Sequence, residues 1–276
     1  MARGEAALEQ SSTLDLDAYL ARVGYDRPLR IDAASLADLH EAHLASIPFE
    51  NLDIFLGKPI RIDLESVQAK LVDGKRGGYC FEHATLFQAV LERIGFRCRL
   101  LAARVRLGAS DVPRPRSHFL LEVDTPQGQY LADIGFGHDG PLHPMPLLPG
   151  LTLHEPSAAH RLRHDGGLWV LEADVGAGWA DLYAFTLERQ FMVDMEMANH
   201  YVSTHPDSIF RRILTVQRLR RDRRASLRGT TLEIRVNGRS ECMEVGADDA
   251  LLALLADEFG LAFPSGTRFT SPEQPE

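Results

Sequence analysis

A cysteine in this sequence occupies a position that suits nucleophilic chemistry. Cys80 follows Arg-Gly-Gly-Tyr and opens a stretch with helical periodicity, so its sulfur is predicted at a helix N-terminus. That end of a helix dipole is positive, which favours the thiolate, the nucleophilic form of the side chain. The two preceding glycines allow a sharp turn and a close approach. We interpret Cys80 as a candidate nucleophile, against the alternative that it is a small buried apolar residue.

The other two cysteines fit the apolar interpretation better. Cys98 falls on the apolar face of a predicted strand, and Cys242 follows a predicted Asn-Gly hairpin turn. Three widely spaced cysteines do not form a disulfide framework, so we expect a reducing, cytoplasmic compartment.

A predicted β-hairpin can supply a base for the thiol. His118 lies at the start of one strand and Asp133 near the end of the next, and a four-residue loop at 124–127 sets them directly opposite each other. The carboxylate can then bind one imidazole nitrogen and leave the other to face Cys80, as in a catalytic triad. Taken alone, His118 could be a structural histidine and Asp133 an ordinary turn carboxylate. Their predicted pairing favours a catalytic role for both.

The elements that must position these residues change along the chain. The first 95 residues predict four amphipathic helices, over 13–24, 35–47, 63–72 and from Cys80 to Gly95. The middle predicts an antiparallel sheet or barrel, with strands over 96–102, 117–123, 129–134, 168–173 and 179–186. The last part predicts a hairpin over 231–245, a helix over 248–259 and a disordered tail from 271.

Composition restricts the function classes. Lys and Arg total 30 against 39 Asp and Glu, a formal net charge of −9, which argues against a nucleic-acid-binding protein. No apolar run approaches the ~18 residues of a membrane helix, and the polar first ten residues lack the apolar segment of a secretion signal. We expect neither a nucleic-acid nor a membrane partner.

Three segments, in order, resemble signature segments of the arylamine N-acetyltransferase family. They are Ile47-Pro-Phe-Glu-Asn-Leu52, Arg76-Gly-Gly-Tyr-Cys-Phe-Glu82 and Asp133-Ile-Gly-Phe-Gly137. His118 also has the family's spacing, 38 residues after Cys80 and 15 before Asp133. With weaker similarity at 182–185 and 199–206, the resemblance covers about residues 13–215.

The resemblance implies an α+β fold with a cysteine-protease-like core. Its parts are an N-terminal helical bundle (1–95) carrying Cys80, an antiparallel β-barrel (96–200) carrying His118 and Asp133, and a C-terminal α/β lid with a disordered tail (201–276). Acetyl-CoA, as co-substrate, would acylate Cys80, and a small arylamine, hydrazine or related primary amine would take the acetyl group. No permanently bound cofactor and no metal is implied, and a homodimer is left open.

The resemblance also assigns supporting residues. Phe49, Val105 and Phe136 would line the acceptor pocket, with core packing as the alternative for each. Arg76 would orient charge beside Cys80, or else form an internal ion pair with an acidic residue such as Glu82.

One position departs from the family pattern. Ala84 stands where the family usually has Asn, which affects the hydrogen bonding expected behind the cysteine.

The arginine-rich segments have two interpretations. Arginines within 104–116 and 211–228 are candidates for binding coenzyme A phosphates, or form a solvated face with local ion pairs.

Other functions remain open at this point. Peptidases and transglutaminases also use Cys–His–Asp triads, although the Cys-to-His spacing here is unlike the ~130–150 residues of papain-type enzymes. An amide synthase of the same fold would use a different acyl group. A metal-binding module is a further alternative, but Cys80 and His83 lack a second pair that would complete a zinc site.

Overall fold

The computed structural model describes residues 14–108, 113–156, 158–174 and 176–272. The helices in these ranges are α1 Leu16–Val23, α2 Ala33–Ser46, α3 Leu52–Phe55, α4 Leu64–Gln68, α5 Cys80–Ile94, α6 Met192–Thr204, α7 Ile209–Arg212 and α8 Asp249–Phe259. The strands are β1 Phe49–Glu50, β2 Arg97–Val105, β3 Arg116–Thr125, β4 Gly128–Ala132, β5 Met145–Pro146, β6 Thr152–His154, β7 Ala159–Asp165, β8 Leu168–Asp174, β9 Trp179–Phe185, β10 Thr215–Leu219, β11 Arg223–Arg228, β12 Thr231–Val236 and β13 Arg239–Glu244.

The helix ends follow the local signals in the sequence. Asp15 and Asp32 each accept the backbone N–H of the third residue that follows, which caps α1 and α2. Gly95 ends α5 with a φ of 109°, a left-handed conformation in which an L side chain is strained. The predicted stop of the cysteine helix is therefore confirmed.

The third predicted helix has two parts. After α4 the chain forms a π-helical turn over Ala69–Asp73, in which Gly74 N donates to Ala69 O across 2.9 Å. Five residues are too few for the wider π period to alter the apolar pattern, so the sequence predicts one uninterrupted helix. The turn places Lys70 within reach of the start of α5.

Two antiparallel sheets complete the α+β fold. The larger has the order β5-β4-β3-β2-β9-β8-β7-β6 and forms a nearly closed eight-stranded barrel, as predicted for the fold class. The smaller has the order β1-β10-β11-β12-β13. Strand β1 lies in the N-terminal third of the chain but pairs with β10 through Phe49 and Gln217. The division into units at 95 and 200 stays a prediction.

Strand β3 is buried on both faces. Phe119 and Leu121 pack into the larger apolar core, which includes the helices, whereas Leu120 packs into the smaller core of the barrel. His118 lies on the same face of the strand as Leu120, because side chains alternate along a strand. Packing on both sides fixes the strand that carries this histidine.

The β3–β4 hairpin is tighter than the sequence predicts. Thr125 pairs with Gly128 across a two-residue turn, and the Thr125 hydroxyl accepts the Gln127 N–H across 3.2 Å. The predicted four-residue loop and the direct opposition of His118 and Asp133 are therefore wrong. The register moves by two residues, which keeps both side chains on one face because the side-chain period of a strand is two.

Of the predictions for the C-terminal part, the hairpin and the helix are confirmed, and the disordered tail is largely untested. The hairpin is confirmed as β12 and β13, and the helix as α8. Most of the tail predicted to be disordered lies outside the described residues, which end at residue 272. Across the described ranges, none of the helices has the length and apolar character to cross a membrane.

Candidate active site

The start of α5 buries the candidate nucleophile. Cys80 is the first residue of the helix, it is 3% exposed, and its Sγ lies 3.7 Å from the carbonyl oxygen of Ser117. The backbone N–H of Tyr79, one residue earlier, donates to Glu82 Oε2 across 3.0 Å. The helix start is thus held by a carboxylate two residues beyond the cysteine.

The two glycines before Tyr79 are required by close packing against the protein itself. A Cβ on Gly77 would lie 2.1 Å from Pro48 O, and one on Gly78 would lie 2.6 Å from Glu82 Oε2. Neither glycine has a positive φ. The sequence correctly indicates that side chains are not tolerated here. The space that the glycines leave is occupied by other residues of this chain.

The structure brings Cys80, His118 and Asp133 together. His118 Nε2 lies 2.9 Å from Asp133 Oδ2, and the Cys80 side chain is close enough to the ring to contribute to the raised pKa of His118. The other Asp133 oxygen, Oδ1, accepts the backbone N–H of Gly135 across 3.2 Å. All three side chains are buried.

Opposing effects set the charge of the pair. Burial disfavours the imidazolium, but the charge of Asp133 and hydrogen bonds to Asp133 and Cys80 outweigh it and raise the pKa of His118 to about 10. Burial also opposes ionisation of Asp133, yet the adjacent His118 charge keeps the pKa of that carboxyl below its usual value. His118 is therefore protonated and Asp133 ionised at neutral pH.

The segment that follows Asp133 packs tightly on the cysteine helix. A Cβ on Gly135 would lie 2.7 Å from Cys80 Cα. Gly137 has a φ of 67°, and a Cβ there would lie 2.7 Å from the Phe49 ring. This contact, rather than hairpin opposition alone, sets the distance between the carboxylate and the sulfur.

Aromatic rings surround the imidazole. Phe136 and Tyr183 have ring centroids 5.2 Å and 5.1 Å from that of His118. Burial, followed by the charge of Asp133, raises the pKa of the Tyr183 phenol well above its usual value. The sequence prediction missed Tyr183 as a site residue, although it lies within the weakly similar segment 182–185.

A small cleft opens beside Asp133, and neither Cys80 nor His118 is among the residues that line it. Phe49 and Phe136, two of the three residues predicted for the acceptor pocket, line it, together with Leu44, Ile47, Ile134, Gly137, His138, Gly140, Pro141, Gln217 and Leu219. The third, Val105, is not among the lining residues and pairs with Tyr183 on the neighbouring strand. The substrate roles of all three stay predictions.

Arg76 and Glu82 do not pair with each other. Arg76 donates to Glu50 Oε1 across 2.6 Å and to Asp53 Oδ1 across 3.1 Å, whereas Glu82 Oε1 lies 2.7 Å from Lys70 Nζ. Arg76 thus forms an internal ion pair, but its partners are Glu50 and Asp53. Sequence reasoning missed Lys70 and Asp53, which no local pattern distinguishes; Glu50 lies within a quoted signature segment.

Behind the cysteine, histidines provide the polar contacts. His83 Nδ1 lies 2.7 Å from His43 Nε2, and the Tyr19 hydroxyl lies 3.0 Å from His43 Nδ1. Ala84 is fully buried in the larger core. In the part of the chain that the structure describes, no three His, Cys, Asp or Glu side chains are grouped to hold a metal ion.

Many of the arginines considered for phosphate binding have acidic partners. These pairs are Arg106–Asp181, Arg116–Glu188, Arg221–Glu41, Arg223–Glu258 and Arg224–Asp139. Local ion pairing therefore accounts for these side chains, and their contact with coenzyme A stays a prediction.

Comparison with known proteins assigns the family. The sequence model of the N-acetyltransferase family matches residues 32–267. An arylamine N-acetyltransferase of Mycolicibacterium smegmatis is 40% identical over 256 residues, which cover 90% of this chain and 92% of that protein. This chain belongs to the arylamine N-acetyltransferase family.

Solved arylamine N-acetyltransferases share the fold. The enzyme from Salmonella typhimurium superposes with a TM-score of 0.87 at 34% identity and covers 94% of this chain and 95% of its own. The Mycobacterium marinum enzyme in complex with CoA gives a TM-score of 0.85 at 38% identity and covers 90% and 93%. The resemblance found in the sequence is confirmed.

Replacing Gly135 with alanine should damage the site by forcing the Asp133 segment away from Cys80. The added methyl group meets backbone, so we expect a loss of roughly 1–3 kcal/mol in the free energy of unfolding and slower alkylation of the Cys80 thiol. Urea denaturation and iodoacetamide labelling measure the two effects. Gly246→Ala, at an exposed position with a negative φ, is the control; equal losses in both variants would contradict the packing argument.

Asp133→Asn should lower the pKa of His118 from its value of about 10. A neutral amide no longer favours the imidazolium, whereas burial still opposes it. Nitrogen NMR of the His118 ring across a pH titration measures this change. Asp124→Asn, at an exposed position of the same hairpin, should leave the His118 pKa unchanged; an unchanged pKa in Asp133→Asn would show that the carboxylate is not the controlling charge.

Proposed function

We propose that this protein transfers the acetyl group of acetyl-CoA to an arylamine, a hydrazine or a related primary amine, through an acetyl-cysteine intermediate on Cys80. The observation that carries the proposal is the buried group of Cys80, His118 and Asp133, in which Cys80 Sγ lies 3.7 Å from the carbonyl oxygen of Ser117, next to His118, and Asp133 holds the His118 ring. Relatives that cover most of this chain are named arylamine N-acetyltransferases, and CoA is bound in the Mycobacterium marinum structure. Acetyl-CoA is a co-substrate here, and no permanently bound cofactor is required.

The first half-reaction forms the acetyl-enzyme. Because Asp133 engages Nε2 of His118, the remaining ring nitrogen, Nδ1, serves the thiol and stabilises its thiolate. The thiolate attacks the thioester carbonyl, and backbone N–H groups in the first turn of α5 stabilise the oxyanion. The carbon–sulfur bond to coenzyme A breaks, and the departing sulfur takes the proton from His118.

The second half-reaction reverses these proton movements. The amine nitrogen attacks the carbonyl carbon of acetyl-Cys80, and His118, now neutral, accepts the proton that the nitrogen loses. Cleavage of the bond to Cys80 releases the amide and restores the thiolate–imidazolium pair. Each acyl transfer therefore uses one proton held at His118, as a ping-pong mechanism requires.

The acetyl-enzyme must persist until the amine arrives. Cys80 and His118 are each 3% exposed, and Phe49 and Phe136 form part of the cleft beside Asp133. The Phe136 ring also packs on His118, and an aromatic neighbour of this kind excludes water from a thioester on Cys80 and presents a face on which an aromatic amine can stack. Cytoplasmic location and a homodimer stay predictions.

Incubation with acetyl-CoA alone should leave one acetyl group on Cys80, detected by mass spectrometry of the digested protein. Addition of an arylamine should remove it and yield the acetylated amine. Cys80→Ser should abolish both steps, with a fall in turnover of about 10³-fold or more because the nucleophile is lost.

Cys242→Ser is the matched control, because this thiol is exposed and lies on strand β13; it should retain full activity. Turnover by Cys80→Ser would overturn the assignment. Hydrolysis of peptides without an acetyl-enzyme would favour a peptidase, and saturation only by larger acyl thioesters would favour an amide synthase.

A further inference from the structure

Five charged side chains are clustered next to the start of α5. Lys70 Nζ lies 2.7 Å from both Asp53 Oδ2 and Glu82 Oε1, and Arg76 contacts Glu50 and Asp53. Side-chain exposure does not exceed 16% for any of them. Two cations thus face three carboxyl groups, and full ionisation would leave an uncompensated buried negative charge.

Glu82 connects this charge cluster to the cysteine. Its Oε1 binds Lys70, and its Oε2 accepts the backbone N–H of Tyr79. The same carboxyl packs so closely on Gly78 that a Cβ there would lie 2.6 Å from Oε2. The position of the backbone immediately before Cys80 therefore depends on this carboxylate.

We propose that Lys70 is a positioning residue for the acylation of Cys80. By favouring the ionised form of Glu82, it strengthens the hydrogen bond that this carboxyl accepts from the Tyr79 N–H, which fixes the first turn of α5 and the direction of the sulfur toward His118. This inference rests on the proposed function, since acylation is the reaction that the positioning serves.

The charges around Glu82 are finely balanced. Burial and the nearby Glu50 raise the pKa of Glu82 to about 7, although Lys70 and the Tyr79 N–H act in the opposite direction. Without Lys70, the carboxyl is protonated at neutral pH, and a neutral oxygen accepts the N–H more weakly. Asp53 keeps a second cation in Arg76, so Glu82 is the carboxyl that most depends on Lys70.

The expected pH dependence follows from the direction of this pKa shift. The carboxylate of Glu82 is present above a pH of about 7 and is lost as the pH falls through that value. The rate of Cys80 acetylation in the native protein should therefore decline below neutrality. Lys70→Met should move this decline to higher pH, because the lost cation allows Glu82 to hold its proton longer.

A double-mutant cycle separates this positioning role from packing. The proteins are the native chain, Lys70→Met, Glu82→Gln and the double variant, and the readouts are the pH profiles of Cys80 acetylation by acetyl-CoA and of Cys80 alkylation by iodoacetamide. At about pH 6, below the Glu82 pKa of about 7, Lys70→Met should slow acetylation by about 10-fold, because a rise of about one unit in that pKa lowers the ionised fraction of Glu82 by that factor there. Lys70→Arg should restore most of the rate, because it returns the cation.

In the Glu82→Gln background the same Lys70→Met change should alter the rate by less than about threefold. A glutamine oxygen can accept the Tyr79 N–H without a counter-charge, so Lys70 is no longer needed there. Equal effects of Lys70→Met in both backgrounds, or no shift in its pH profile, would overturn the inference. If Lys70→Met does not fold, a folded double variant that acetylates supports the coupling, and a double variant that also fails to fold overturns it.

The two readouts distinguish failure of this inference from failure of the proposed function. If the native chain forms no acetyl-Cys80, the proposed function is wrong, and the alkylation profiles still report whether Lys70 positions the thiol through Glu82. If acetyl-Cys80 forms but the cycle shows no coupling, only the role of Lys70 is rejected.

Discussion

A charged imidazole held away from water is the constraint on which this structure depends. His118 is almost fully buried, and burial alone would strip it of its proton. The carboxylate of Asp133 at 2.9 Å reverses that tendency. A charge of this kind is stable only where its partners cannot move away, so the surrounding elements must be rigid as well as correctly placed.

Rigidity comes from close packing, which at several glycines leaves no room for a Cβ atom. Strand β3 carries His118 between two apolar cores, and the segment after Asp133 touches the cysteine helix at Gly135 and the Phe49 ring at Gly137. The glycines of the signature segments thus have specific steric causes. At Gly77 and Gly135 two stretches of backbone meet, at Gly137 the backbone meets a ring, and at Gly78 it meets the side chain of Glu82.

A second group of compensating charges lies next to the start of the cysteine helix. The start of α5 is held by a carboxylate that belongs to a cluster with more negative than positive groups. Such a cluster is sensitive to the loss of one cation, since a buried carboxyl responds by taking up a proton. Cys80 and Glu82 both belong to the first turn of α5, so a change at one can affect the other.

The sequence by itself determined the family, the cysteine helix, the barrel strands and the three residues that meet at the site. Local signals sufficed for these, because apolar periodicity, a glycine stop and residue spacing are properties of short segments or of a shared ancestry.

The β3–β4 hairpin shows where local signals are not sufficient. The sequence placed His118 and Asp133 on one face, but the predicted register was wrong by two residues because the turn between Thr125 and Gly128 is tighter than the turn residues indicated. Only the tertiary structure decided the partners of Arg76 and Glu82, the π-helical turn that brings Lys70 to Glu82, and the absence of Val105 from the lining of the cleft. These depend on contacts between segments far apart in the chain, and side-chain charge alone does not specify which of several nearby opposite charges becomes the partner.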